Sequence, residues 1–361
     1  MRSVRALVAL GVTSATLLTT AVLAAPTAGA APPLDVLLTG LSSPKGVAAT
    51  GFGDPVVGQG AFGAPGPVLI YLLHGPERGS TLDVTEPINL IDVAVSPLDD
   101  TGWGIGGDGV LYHQLADGTI VAVLDIFAYQ EGDPDPVDQE DFPEESNPYG
   151  LAVLPNGDAL VADAAGNDLI RVTPDGDATT MARFDLETVA TDHLPPELIE
   201  ELELPAEITA EAVPTSVAIG KDGAIYVGEL KGFPFRPGSS HVWRVDPDAD
   251  GAFCSVNDPD PDCTIAADGF TAIQDIAINQ NNGTLYVYEL AADGVLAFEA
   301  GFESGEFPSA VLLKVKNDRR TELVAGQLSQ PGGVAVARNG TVFVTDRVFD
   351  PESGRLALVR G

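Results

Sequence analysis

The sequence predicts an all-β fold, a six-bladed β-propeller whose N-terminal strand closes the last blade, and three observations carry that prediction. A motif of apolar strand, tight Asn-Gly or Asp-Gly-like turn and second apolar strand recurs six times, beginning at Pro44, Leu90, Pro148, Pro214, Ile273 and Pro331. Aligned on Val47, Val93, Leu151, Val217, Ile276 and Val334, the copies stand 46, 58, 66, 59 and 58 residues apart. That leaves room for the about 40 to 50 residues of a four-stranded blade, plus insertions. The third observation concerns the chain ends. Arg355–Gly361 reads as a third strand with no fourth after it, while Leu34–Leu41 resembles the fourth-position segment Thr321–Leu328 and likewise ends just before a new motif. Pairing the two ends closes the ring and removes exposed strand edges.

Taken in chain order, the first 30 residues carry Arg2 and Arg5, an uncharged run from Ala6 to Ala25, and the small-residue sequence Ala28-Gly29-Ala30. This is the layout of a cleavable secretory signal. The expected product is a secreted single propeller domain spanning residues 31–361, a monomer with no membrane attachment once the signal is gone. Removing the two arginines takes the formal charge from −35 to −37. Such a surface repels nucleic acid and anionic lipid, and suits cations, basic partners or plain extracellular solubility. The partner expected is a small molecule or an extracellular protein.

Blade three spells out its four strands as Gly150–Leu154, Ala159–Ala162, Leu169–Thr173 and Ala178–Phe184, with Pro155-Asn156-Gly157 and Pro174-Asp175-Gly176 at the turns. Blade two repeats the order with Val93–Ser96, Trp103–Gly106, Val110–Gln114 and Thr119–Phe127, and blade five places Asn282-Gly283 and Asn317-Asp318 at the corresponding turns. Alternating apolar residues joined by short Gly turns specify antiparallel hairpins. Cys254 and Cys263, the only two cysteines, lie nine positions apart in an acidic, Pro-rich segment of an exported chain and read as one local disulfide.

The unit Gly150-Leu151-Ala152-Val153, Asn156-Gly157-Asp158, Val161-Ala162-Asp163 and Ile170-Arg171-Val172 resembles the NHL and SMP-30-type propellers. Within that group the exported chain most resembles the ScyD/ScyE family, on its overall layout and on the opening Leu41-Ser42-Ser43-Pro44-Lys45-Gly46-Val47-Ala48. The family has no settled biochemical activity, so the resemblance speaks to fold more than to function. SMP-30-like lactonases and virginiamycin B lyase-like enzymes share the architecture and use a divalent cation at the channel mouth, the latter with a catalytic His. The four histidines here, His74, His113, His193 and His241, match neither pattern. No nucleophile elbow, zinc-protease helix or phosphate loop occurs, and no organic cofactor is expected.

In a propeller the loops from strand two to three and from blade to blade share one face. The insertions 59–67, 129–147, 185–213, 231–240, 291–309 and 347–353 all fall there, so recognition is expected on that face. Second strands end on Gln59, Asp163, Glu229, Glu289 and Asp346. Two readings of the four acids stay open: each caps its own turn, or together they draw a cation or basic ligand to the rim. Nearer the axis, Lys45, Asp92, Gln274 and Asp275 form a channel-mouth candidate, with the aspartates on opposed blades. That pair could hold Ca²⁺ or Mg²⁺, act as base and acid, or cap structure.

Asp246-Pro247-Asp248-Ala249-Asp250-Gly251 is like the first half of an EF-hand loop, although the twelfth position is Asn257 where that loop has Glu. The alternatives are a structural Ca²⁺ site and a solvated acidic turn beside the disulfide, in either case on the opposite face. Finally, Pro195–Pro205 predicts one short helix, from its Pro-rich start and its Leu198, Leu202 spacing.

Overall fold

The computed structural model describes residues 34–139, 141–350 and 352–360; the secretory signal read in residues 1–30 lies outside them. Six sheets, antiparallel apart from one added edge strand, stand around a central axis, each built outward in chain order except for the outermost strand of the sixth. The motif's first strand is therefore always innermost: Val47–Ala49, Leu90–Val95, Pro148–Val153, Pro214–Ile219, Ile273–Ile278 and Pro331–Val336. Gly157 at φ +94° and Gly283 at φ +68° supply left-handed residues at the turns that follow, where an L side chain would be strained.

The ring closes as the chain ends predict. Leu34–Leu41 is the outermost strand of blade six, antiparallel to Gly354–Val359, with Leu34 opposite Val359 and Leu41 opposite Gly354. Asp35 and Arg360 reinforce that edge with an ion pair at 2.5 Å.

Burial concentrates in the seams between blades, as expected of units that pack only on their neighbours. The seam of blades three and four gathers Leu160, Phe184, Val217, Ile225 and Trp243; that of blades two and three gathers Trp103, Ile105, Leu111, Val161 and Ile170. Blade one is the smallest unit, since each of its four strands has only three residues.

Every insertion emerges on one face. It carries α1 (Ile126–Gln130), α2 (Pro196–Glu201) and α3 (Val295–Ser304), and a hairpin of Glu187–Ala190 with Glu207–Ala210. The helix expected over Pro195–Pro205 is α2, shorter by its ends and set inside that hairpin. The opposite face has short turns, apart from the Leu72–Ser80 connection of blade one and the Asp246–Asp262 connection of blade four. There Cys254 and Cys263 form the expected disulfide. Its Ala252–Cys254 strand pairs in parallel with Ala182–Phe184, adding a fifth strand to blade three. Among the described residues no helix is long and apolar enough to cross a membrane.

Candidate functional site

The inner strands converge on the axis, and their first residues decide whether the channel is open at the loop-rich end. Lys45, from blade one, donates from Nζ to the Tyr149 carbonyl oxygen at 2.7 Å and lies 3.9 Å from the centre of the Tyr149 ring. Gln274, from blade five, donates from Nε2 to the Tyr149 hydroxyl at 2.9 Å. Alternate blades thus meet on one tyrosine, and Lys45 and Gln274 are 2% and 4% exposed. They form a plug, and the mouth expected on the loop-rich face is filled by their own side chains.

Beyond the plug is a cavity of about 230 Å³, walled by all six inner strands and reaching Gln280 in a turn of the opposite face. Asp92 and Asp275 line it, so these acids are approached from the short-turn end. Each carboxylate is already engaged. Asp92 accepts the N–H of Val93 at 2.8 Å and, from the next blade, that of Leu151 at 2.9 Å. Asp275 accepts Ile276 N–H at 2.8 Å and Val334 N–H, again from the next blade, at 2.7 Å. A neighbouring blade makes room with glycine: a Cβ on Gly46 of blade one would lie 2.9 Å from Asp92 Oδ1, and one on Gly333 of blade six 3.0 Å from Asp275 Oδ2.

Desolvation by the channel wall raises the pKa of both aspartates, against the lowering effect of Lys45; for Asp275 the charge of Asp92 adds to the rise, taking it to about 7. Asp275 can therefore hold its proton toward neutrality, and the two carboxylates pin blade two to three and five to six.

The second-strand acids do not converge on the axis. Asp163 accepts the N–H groups of Asn147 at 2.6 Å, Ala165 at 3.2 Å and Gly166 at 3.0 Å, which is the local-capping alternative realised. Asp346 is buried against Arg355, whose Nε donates to Oδ1 at 2.8 Å. Glu289 accepts Thr271 N–H at 2.7 Å, and burial raises its pKa to about 6. Gln59 accepts Ser42 N–H at 2.9 Å and donates to the Pro67 carbonyl oxygen at 2.8 Å. Asp163 is thus held by the turn that follows it, and Asp346, Glu289 and Gln59 by partners from other segments, before any of them can reach the channel.

Glu229 differs, because an insertion brings partners to it. Glu187, Glu229 and His241 place one ligand atom each within 4.8 Å of one another, the one such group of three among the described residues. A cation already stands there. Lys231 Nζ is 2.8 Å from Glu229 Oε1 and 2.9 Å from Glu187 Oε2, while His241 Nε2 is 3.0 Å from Glu187 Oε2. Glu229 also accepts the indole N–H of Trp243 at 2.8 Å and the backbone N–H of His241 at 3.0 Å. Burial opposes ionisation of Glu187, but hydrogen bonds and charge from His241 and Lys231 outweigh it and lower its pKa to about 2. For Lys231 the same two carboxylates outweigh desolvation and raise the pKa. The donor set resembles a metal centre, yet a divalent ion would have to displace a buried ammonium. As it stands, the cluster does not fit a resident metal.

Glu187 and His241 do face a cleft of about 430 Å³ that also takes in Arg236 and Asp268. Of the other histidines, His193 Nε2 sits 2.9 Å from the Pro234 carbonyl oxygen, and His113 stacks on Trp103 with its Nε2 2.9 Å from Thr101 Oγ1.

In the acidic loop, Asp246, Asp248 and Asp250 do not bring three carboxylate oxygens within 4.8 Å of one another. Asp246 Oδ1 instead accepts Asp248 N–H at 3.0 Å, and Asn257 turns its backbone N–H to Ser255 Oγ at 3.2 Å. Lys231 and Glu187 belong to no motif of the sequence, and Tyr149, though it opens the third copy of the repeat, carries no local sign that Lys45 and Gln274 meet on it. The signal available for Lys231 was a lone cation two residues beyond a strand-ending Glu in an otherwise acidic chain.

No family model matches this chain, and no curated protein matches its sequence. Solved structures do. A glucose dehydrogenase is 14% identical with a TM-score of 0.53, covering 91% of this chain and 99% of that one. A gluconolactonase from Xanthomonas campestris is 13% identical with a TM-score of 0.50, covering 93% and 99%. Virginiamycin B lyase from Staphylococcus aureus is 14% identical with a TM-score of 0.46, covering 87% and 80%. At these identities the likeness establishes the propeller fold alone.

Proposed function

We propose that this chain is an exported binding module that recognises a cationic protein or peptide through its loop-rich face, without catalysis. The single observation that carries the reading is an aromatic cap assembled from three blades. Phe62 of blade one stacks on Phe349 of blade six at 4.7 Å between ring centres, and Phe302 of α3 in blade five packs on Phe349 at 5.1 Å and on Phe307 at 5.0 Å. Phe62 and Phe302 nevertheless stay 45% and 56% exposed. The exposed acids Asp293, Glu299, Glu303, Glu306 and Asp350 belong to the same two loops as Phe302 and Phe349. An apolar anchor bordered by one sign of charge suits a partner with an apolar residue among lysines and arginines.

The layout of residues 1–30, the disulfide and the net charge of −35 support secretion and argue against nucleic-acid partners. The Leu41–Ala48 opening supports membership of the ScyD/ScyE family, with a monomeric chain as the working form. The test is peptide-display selection on the immobilised protein in parallel with Phe62→Ser/Phe302→Ser. Sequences enriched in aromatic and basic residues, lost on the double variant, are expected. Acidic sequences, or equal recovery on both proteins, would overturn the reading.

A divalent-metal lactonase or lyase is the competing reading, favoured by the fold likeness to a gluconolactonase. It requires an ion at Asp92 and Asp275 or at Glu187, Glu229 and His241. Metal analysis separates the two: a stoichiometric ion lost in Asp92→Ala/Asp275→Ala, together with lactone turnover, would favour the enzyme.

A further inference from the structure

The seam between blades one and two is incompletely filled, for a reason written in one strand. Gly102-Trp103-Gly104-Ile105-Gly106 alternates large and absent side chains. Because strand side chains alternate between faces, Trp103 and Ile105 both enter the seam with blade three, and three glycines turn toward blade one. Blade one answers with strands of three residues, too short to supply the missing volume. Leu90 covers Gly104, 3.1 Å from where a Cβ would sit, and Tyr112 covers Gly106 at 2.8 Å, whereas a Cβ on Gly102 would meet only Gln114, at 3.5 Å. What remains is a cavity of about 100 Å³ lined mainly by Val56, Val68, Ile70, Leu90, Val93 and Ile120, with Asp100 as the carboxylate on its wall.

We propose that this inter-blade cavity is a binding site for a small, uncharged apolar molecule, a single ring or a branched alkyl group. Apolar cavities of about 150 Å³ stay dry and take up benzene or xenon, because water finds too few polar partners inside. The walls here are chiefly valine, leucine and isoleucine held by two sheets, with Thr50, Thr85, Tyr112 and Gln114 as the polar minority, so the space is preformed and entry requires no rearrangement of the ring. Asp100 disfavours anions. The site uses no residue of the aromatic cap and stands independently of the function proposed for that face.

The probes are xenon and benzene, read by the ¹²⁹Xe shift and by saturation transfer from the protein, with benzoate as the anionic comparison. Wild type is expected to shift xenon and transfer to benzene but not to benzoate. Gly102→Val, whose side chain enters the cavity, loses both signals while retaining its circular dichroism. Val93→Ala enlarges the same space and gives a larger xenon shift than wild type. Absence of both signals in wild type overturns the proposal, as does equal transfer to benzoate or a folded Gly102→Val that responds like wild type. Should Gly102→Val fail to fold, a Val93→Ala xenon shift no larger than that of wild type overturns it instead.

Discussion

The Asp275 carboxylate accepts the backbone N–H of Val334 across the seam between blades five and six, at 2.7 Å. With its raised pKa, Asp275 binds its proton more tightly in the folded chain than in the unfolded one. Stability from this group is therefore fullest at low pH and declines as pH rises from about 4 toward about 7, levelling off above. Asp275→Asn, which cannot ionise, is expected to flatten that decline in the thermal midpoint relative to wild type, with Asp92 and Lys45 left in place. Parallel pH profiles for the two proteins would remove Asp275 as the titrating group.

Glu187 has the opposite sign. Its folded pKa lies below the unfolded value, so its contribution is present above pH 4.5 and is lost as pH falls toward 2. Glu187→Gln should lower the denaturation midpoint at pH 7 and converge with wild type at pH 2. A difference that persists undiminished in acid would mean that the side chain acts through packing and not through charge.

Lys231 is the cation that balances Glu187 and Glu229. Replacing it with Met leaves Glu229 buried without its ammonium partner, a change of the kind that destabilises by about 3 to 5 kcal/mol. The vacated donor set then approximates a metal centre, so Mn²⁺ or Zn²⁺ should restore part of the loss in Lys231→Met while leaving wild type unchanged. Chemical denaturation with and without the ion measures both effects; equal stabilisation of the two proteins would argue against Lys231 occupying an ion's place.

Reduction of Cys254–Cys263 should act locally. A loop of nine residues gives about 2 to 3 kcal/mol at most on chain-entropy grounds, and the strand it fixes belongs to blade three's outer edge. Hydrogen exchange is expected to quicken at Ala252–Cys254 and Ala182–Phe184 and to stay unchanged in blades one and six. Quickening throughout the ring would mean that the bond holds the whole fold.

The blades were legible because each strand pair is a local event: an apolar run, a Gly-bearing turn and a second run, repeated. The closing strand was legible too, since Leu34–Leu41 had a counterpart in Thr321–Leu328. Side-chain direction at the rim was not. Asp163 and Asp346 occupy equivalent positions in the motif, yet one is captured by turn N–H groups and the other by Arg355, a partner supplied by the next strand. That the channel-mouth candidates Lys45 and Gln274 fill the mouth themselves is not legible either, because nothing local reveals that both reach Tyr149 from other blades. Lys231 lay outside any repeat, in an insertion whose path no periodicity constrains.

The pairing of Leu34–Leu41 with Gly354–Val359 also dictates timing. Asp35 and Arg360 meet across 325 positions of chain, so Leu34–Leu41 waits, without its hydrogen-bonding edge, until Gly354–Val359 has emerged. Five blades can assemble along the way, but the sixth is whole only once Gly354–Val359 has been made. A chain lacking Gly354–Val359 presents the open side of Val342–Asp346 as a template, and the Gly354–Val359 strand of a second copy is the segment whose register fits it. Premature release would therefore favour linked pairs over open monomers.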